Sequence, residues 1–332
     1  MARVLIYGAG AIGSFVGYLL SEVGDGGKAV ENVALLGRRG HLQRIKEKGL
    51  RIALPGSESG GSRSIRFKHC FFGLNDLEGS GFFPELVVIS VKTYSLPAVC
   101  NELLQSGLLE KNLKGTEFLL LMNGMGNREI FDRAGLPPSR VYEGITSIGV
   151  TFPEDGSVEL KGMGKTVFED KVRQETKDFL RERFEEKGFD LEFRVNFREQ
   201  QWNKLFANLA INPITALTRR ENGIVLSRSL EGTVKNIVDE CVLVARKEGI
   251  NAESEKVLET VFSVAEKTSA NTSSMLQDVL RERRTEIDSI NGYVVRLAKK
   301  HGIRANVNEA LFSLVKALEG PDHGQGDIRP KG

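Results

Sequence analysis

The segment Gly8-Ala9-Gly10-Ala11-Ile12-Gly13 constrains this chain more than any other part of it. Its spacing is G-x-G-x-x-G. It follows a short apolar run at Val4–Tyr7 and opens a stretch of helical character at Ala11–Leu20. In that context the three glycines have separate tasks: a tight turn, close approach of backbone to a phosphate, and close packing of helix on strand. A phosphate then rests on the unsatisfied N–H groups of the helix N-terminus. A glycine turn without a ligand can share the spacing. The strand before it and the helix after it mark a dinucleotide-binding βαβ unit from Arg3 to Arg39.

The rest of the N-terminal half continues the alternation. Val33–Leu36, Leu86–Val91 and Phe118–Met122 are continuous apolar runs of strand length, the pattern of strands buried on both faces. Val141–Val150 and Val158–Val167 read as later strands of the same sheet, one of them a candidate for antiparallel pairing, and Leu191–Val195 as its last strand. Asp170–Lys187 reads as a helix. GDGGK at Gly24–Lys28 and PGSESGGSR at Pro55–Arg63 read as loops, the second a mobile turn. Near residue 196 the character changes. Helical spacing of apolar residues runs through Val234–Glu248, Glu253–Lys267, Ser274–His301 and Asn308–Leu318. The expected fold class is α/β: a Rossmann-type doubly wound sheet over 1–195, then an all-α bundle over 196–319. The polar segment 320–332 is expected to be a disordered tail.

Composition sets outer limits. The 332 residues suit two domains, and 40% hydrophobic with 27% charged residues is ordinary for a soluble protein. A net charge of +2 gives no reason to expect a nucleic-acid partner. No apolar run reaches the roughly 20 residues needed to span a bilayer, and the start MARVLIYGAG does not resemble a signal peptide. Cys70, Cys100 and Cys241 are scattered and show no metal-ligand spacing, which points away from disulfides and zinc. A cytosolic protein is expected. The oligomeric state is left open, a homodimer included.

Strand ends supply the cofactor choice. An acid at the end of the second strand would bind a ribose 2′-hydroxyl. The chain reads Leu36-Gly37-Arg38-Arg39 there, without one. A guanidinium forms a charge-assisted pair with a 2′-phosphate, so Arg38 and Arg39 favour NADPH over an exposed basic turn. Lys92 follows the LVVISV strand, and Asn123-Gly124 follows FLLLM, both where open α/β sheets bind ligands. In QWNKLFANLAINPI, Trp202, Leu205, Phe206 and Leu209 share one helical side, and Lys204, Asn208 and Asn212 share the other. A solvated face has the same pattern. Pro213 is expected to kink or end this helix. Ser274–Gln277 has the form of a capping box, and Thr285–Asp288 that of an acidic turn within a long charged helix.

Taken in order, GAGAIG, GRR, VKTY, MNGMG, KLFANLAINPITAL with ENG, SSMLQD and TEIDSING make the chain resemble the ketopantoate reductase family from residue 8 to about 318. The resemblance implies an NADPH-dependent reduction of the 2-ketoacid ketopantoate to pantoate, in pantothenate and coenzyme A biosynthesis. It implies Lys204 and Glu286 as catalytic residues and Asn208, Asn212, Asn222 and Ser274 as substrate ligands. Asn123 falls at the nicotinamide and substrate, and Arg38 and Lys92 near the 2′-phosphate. A reductase of another 2-ketoacid and a non-catalytic NADP(H)-binding regulator are the rival readings. The chain departs from the family pattern in a longer loop at Ser21–Asn32 and in the doubled arginine.

Overall fold

The computed structural model describes residues 2–22, 28–55, 62–136 and 138–319. The expected GDGGK loop and polar tail lie almost wholly outside the described residues, as does most of PGSESGGSR. The chain divides into two compact units: Met1–Met122 with Asn127–Phe197, and Asn123–Gly126 with Arg198–Gly332.

The first unit begins β1 (Val4–Tyr7), α1 (Ala11–Leu20), β2 (Val30–Leu36), α2 (Arg39–Lys48), β3 (Leu50–Ala53), β4 (Ser62–Ile65) and β5 (Phe67–Phe71). It continues β6 (Leu86–Ile89), α3 (Leu96–Gln105), β7 (Glu117–Leu121), α4 (Asn127–Arg133), β8 (Val141–Thr146), β9 (Gly149–Thr151) and β10 (Ser157–Gly162). It closes with β11 (Thr166–Glu169), α5 (Gln174–Glu186) and β12 (Leu191–Arg194). The main sheet has the order β12-β11-β8-β7-β6-β1-β2-β5. From β5 to β8 neighbouring strands are parallel. Counted within this sheet, these six run 3-2-1-4-5-6, the Rossmann order. β1, β6 and β7 are buried along their whole lengths, as continuous apolar strands between layers must be.

Only part of the expected late strands join this sheet. β8 and β11 do, antiparallel to each other, and β12 pairs parallel with β11. β9 and β10 instead form a second sheet, β4-β3-β10-β9, whose strands β3 and β4 sequence periodicity did not suggest. The chain changes sheet where 147 and 164 meet. A Cβ on Gly164 would lie 2.2 Å from the Ser147 carbonyl carbon, and the Ser147 N–H donates to the Lys165 carbonyl. Only a bare backbone passes that closely.

A buried histidine ties this second sheet to the first βαβ unit. His41 on α2 is fully buried. Gly156 N–H, between β9 and β10, donates to His41 Nδ1 at 2.9 Å. That leaves the proton on Nε2, which donates to Ser14 Oγ in α1 at 2.9 Å. Protonation would cost the Gly156 bond. Burial pushes the imidazole down to about 4; Asp155 opposes the shift and Arg38 adds to it.

The second unit is helical: α6 (Phe197–Thr218, entered from the first unit at Phe197), α7 (Glu231–Lys247), α8 (Ser254–Lys267), α9 (Ser274–Leu280), α10 (Asn291–His301) and α11 (Asn306–Leu318). Trp202, Leu205, Phe206 and Leu209 of α6 join Val238, Cys241 and Val294 in its core. Among the described residues no helix is long and apolar enough to cross a membrane.

Two expectations are corrected here. α6 does not end at Pro213 but runs five residues further, to Thr218. The span 274–301 is not one helix, and TEID does not lie inside one. α9 stops because the Arg283 N–H turns back to the Asp278 carbonyl and Glu282 adopts φ +52, a left-handed stop that helical periodicity cannot reveal.

The His41 network predicts acid lability. The unfolded histidine takes up a proton near pH 6.5, whereas the folded one refuses it until about 4, so stability is full above this window and falls as pH drops through it. The loss should approach about 3 kcal/mol. Urea unfolding above and below the window, for the natural chain and for His41→Leu, checks this. The variant should be weaker at neutral pH and should lack this part of the pH dependence.

Candidate functional site

In the first unit, the glycine turn is built as a phosphate cradle. Gly8 has φ +104, and the N–H groups of Gly8 and Ala9 both donate to the Leu36 carbonyl at the end of β2. A Cβ on Gly13 would lie 2.2 Å from Gly8 O and 2.4 Å from Ser90 Oγ, so α1 can start against the turn only with glycine there. A Cβ on Gly10 would meet nothing closer than Gly8 O at 4.0 Å. Gly10 thus leaves open space beside the N-terminus of α1, which no side chain caps, while its own N–H donates to Gly8 O at 2.7 Å. That is the geometry an anionic pyrophosphate fits.

The residues expected near the cofactor's other groups lie at the same strand ends. Arg38 and Arg39 are exposed, Arg38 as the N-cap of α2 and Arg39 as its first residue. Each guanidinium lies over an aromatic ring: Arg38 at 5.4 Å from the Phe152 centroid, Arg39 at 4.7 Å from that of Phe72. Lys46 shares the Phe72 ring. Lys92 directs the turn after β6, its carbonyl accepting from the Ser95 N–H.

In the second unit, three of the expected residues come together. Lys204 Nζ donates to Asn123 Oδ1 at 2.9 Å, and Asn123 Nδ2 donates to Glu286 Oε2 at 3.3 Å. An ammonium, an amide and a carboxylate form one polar run. Burial pushes the Lys204 ammonium down to about 8, while the Glu286 charge opposes that shift. The turns that carry Asn123 and Glu286 are held by neighbouring groups. The Met125 N–H donates to the Ser289 carbonyl, and a Cβ on Gly124, at φ +75, would lie 2.3 Å from Ser289 Oγ. Buried Glu319 accepts both the N–H and the hydroxyl of Thr285, at 2.9 and 2.6 Å, next to Glu286.

The remaining asparagines differ in setting. Asn208 and Asn212 follow Lys204 at four-residue steps along α6, Asn208 half-buried and Asn212 buried. Asn222 is buried as well. Its N–H donates to the Asn271 carbonyl and its Nδ2 to Thr268 Oγ1, but its Oδ1 has no hydrogen-bond partner. Ser274 is exposed and does not cap α9. The cap is Ser273, whose Oγ accepts the Leu276 N–H and contacts Thr215 Oγ1 at 2.6 Å, while Gln277 turns to the Thr272 carbonyl. The expected capping box therefore does not form: the N-cap is one residue earlier, and its third following residue is Leu276, which cannot return a hydrogen bond.

Comparison with known proteins places this arrangement. Residues 4–172 match the family model for ketopantoate reductase PanE/ApbA, and residues 196–319 match the model for its C-terminal part. The chain belongs to the ketopantoate reductase family. It is 34% identical over 321 residues to the 2-dehydropantoate 2-reductase of Pyrococcus horikoshii, covering 96% of this chain and 97% of that one. It is 34% identical over 237 residues to the Vibrio cholerae enzyme of the same name, covering 71% and 78%. Among solved structures, the PanE/ApbA family ketopantoate reductase from Ralstonia eutropha JMP134 superposes with TM-score 0.81 at 26% identity, covering 96% of this chain and 98% of that one. A D-mandelate dehydrogenase solved with NADH and anilino(oxo)acetate superposes with TM-score 0.82 at 25% identity over the same shares.

Several residues around these ketopantoate reductase motifs had escaped the sequence reading. Ser90, whose hydroxyl donates to Gly8 O at 3.0 Å, was the one polar residue in LVVISV and could have been noticed. Ser289, inside TEIDSING, and Glu319 act on backbone across turns, a role that residue type does not signal.

Gly10 and Gly13 should separate in the laboratory. Gly13→Ala forces backbone apart and should cost about 1–3 kcal/mol, as overpacking does. Gly10→Ala meets open space and should unfold at nearly the natural temperature. Thermal unfolding of the two variants checks this, and equal losses would refute the cradle geometry.

Proposed function

We propose that this member of the family is an NADPH-dependent 2-dehydropantoate 2-reductase that converts ketopantoate to pantoate, with Lys204 as general acid. The observation that carries this reading is the Lys204–Asn123–Glu286 run, with an ammonium whose pKa has been brought to about 8. NADPH, when bound, supplies the hydride that reaches the C2 carbonyl carbon. Negative charge then gathers on the carbonyl oxygen. Lys204 stabilises that charge and delivers the proton that completes the alcohol. A donor with a pKa near the working pH is the effective kind. Asn123 orients the ammonium through its Oδ1, and Glu286 keeps the lysine charged against the pull of burial. Asn208 and Asn212 line the approach along α6, and the unpartnered Oδ1 of Asn222 suits a substrate hydroxyl. The exposed Ser274 hydroxyl is assigned to the substrate carboxylate.

The choice of NADPH rests on Arg38 and Arg39 and on the missing acid after β2. The pathway assigned is pantothenate and coenzyme A biosynthesis in the cytosol. A second reading, reduction of another 2-ketoacid, is favoured by the likeness to D-mandelate dehydrogenase, which was solved with NADH. Fold does not choose between substrates. Steady-state kcat/KM for ketopantoate against simpler and aryl 2-ketoacids, with each cofactor, tests the proposal. It stands on a clear preference for ketopantoate with NADPH and falls on a preference for an aryl ketoacid.

Two variants test the assigned roles. Lys204→Ala should lose roughly 10²–10⁴-fold in turnover, with NADPH affinity nearly intact. In the natural chain, reduction should weaken as pH rises through about 8, because the proton donor is lost, and the residual activity of the variant should lack that limb. Replacing Arg38 and Arg39 by Ala should weaken NADPH on the order of 10- to 100-fold, the scale of lost charge-assisted bonds, with NADH little changed. Equal weakening of both cofactors by titration would remove the 2′-phosphate role.

A further inference from the structure

α6 passes through Pro213 without ending, and one side chain shows how. A proline has no N–H, so the carbonyl of Leu209, four residues earlier, loses its ordinary helical donor. Asn291 Nδ2 donates to that carbonyl at 3.1 Å. Asn291 opens α10 and is fully buried. Its second N–H goes to Asn308 Oδ1 at 3.1 Å. Asn308 Nδ2 in turn donates to Glu240 Oε2 at 2.8 Å, and Glu240 also accepts the backbone N–H groups of Val307 and Asn308. The amide that serves Leu209 is therefore held from α7 and α11.

We propose that Asn291 is a positioning residue for the substrate face of α6, its side-chain amide standing in for the N–H that Pro213 lacks. This rests on the reading above, in which Lys204, Asn208 and Asn212 meet the ketoacid. Asn212 immediately precedes the proline, a place where the helical conformation is disfavoured. It remains in the helix, in step with Lys204, because the Leu209 carbonyl is satisfied. Without that donor the carbonyl is a buried orphan, and a hinge between Leu209 and Pro213 becomes the relief. Asn212 would then swing relative to Lys204. Asn291 thus governs how the ketoacid is seated, not the proton transfer itself.

The test is a cycle of four proteins: the natural chain, Asn291→Ala, Pro213→Ala and the double variant. Asn291→Ala should raise KM for ketopantoate about tenfold, the scale of one buried hydrogen bond lost, with kcat less affected and NADPH affinity unchanged. Pro213→Ala returns a backbone N–H to Leu209. In the double variant KM should fall back to within about twofold of that of Pro213→Ala alone, the precision to which independent effects add. An unchanged KM in Asn291→Ala, or a raised KM that Pro213→Ala does not repair, overturns the proposal. If Asn291→Ala gives no folded protein, soluble yield decides in the same way: recovery in the double variant upholds the proposal and no recovery overturns it. If the natural chain does not reduce ketopantoate, the functional reading has failed. The melting temperatures of the four proteins then still decide whether Asn291 replaces the missing donor.

Discussion

An ammonium placed among apolar helices loses hydration, and the second unit is arranged around that cost. Lys204 is half-buried on a helix whose opposite side carries Trp202, Leu205, Phe206 and Leu209 into the core, which fixes the side of the helix it occupies. Its proton is retained because Asn123 accepts from it and because the Glu286 carboxylate is near enough to be felt. Glu286 is itself buried and depends on its neighbours being fixed. Thr285 is held by Glu319, and the Ser289 carbonyl holds the 123–126 turn. A loosely held carboxylate would oppose the downward pull of burial on the lysine less. The rigidity of these turns and the charge state of the lysine are one problem.

The first unit meets the opposite requirement. It shapes a turn with room beside an uncapped helix N-terminus, the place a phosphate would use under the proposed reading. Glycine is the means, and of the three glycines of the turn Gly8 and Gly13 are demanded by sterics. Gly10 is not, and its openness is intelligible only as room for something else. Arg38 and Arg39 rest against rings, Phe152 and Phe72, that hold flexible cations near the end of β2 at small entropic cost.

What the sequence made legible was local. GAGAIG, the apolar strands β1, β2, β6 and β7, and the two faces of α6 are all patterns within about one element, where periodicity speaks directly. The second sheet was not legible. β3 pairs with β10 across about a hundred residues, and both are short and mixed in character. The broken span 274–301 was misread because its charges and apolar residues keep helical spacing through a stop made by one left-handed residue, Glu282. The family resemblance brought Lys204, Asn123 and Glu286 to notice together. It could not give the order of bonds among them, which depends on a turn around Gly124.

Pro213 shows why such gaps are physical rather than accidental. A proline rule applied to α6 predicts a break, and the rule is sound for a helix considered alone. It fails because another helix supplies the missing donor, from a residue 82 positions away in sequence. Backbone groups must be satisfied, but the partner is free to come from anywhere the fold allows. Residues that serve this purpose are Asn291 for Leu209, inside TEIDSING, and Glu319 for Thr285, and neither position announces its partner in sequence. Under the proposed function they bear on how Lys204, Asn208 and Asn212 face the ketoacid. The proposed reacting groups can therefore be found by motif, whereas the hydrogen bonds that set their directions join positions far apart in the chain, some of them inside the same motifs.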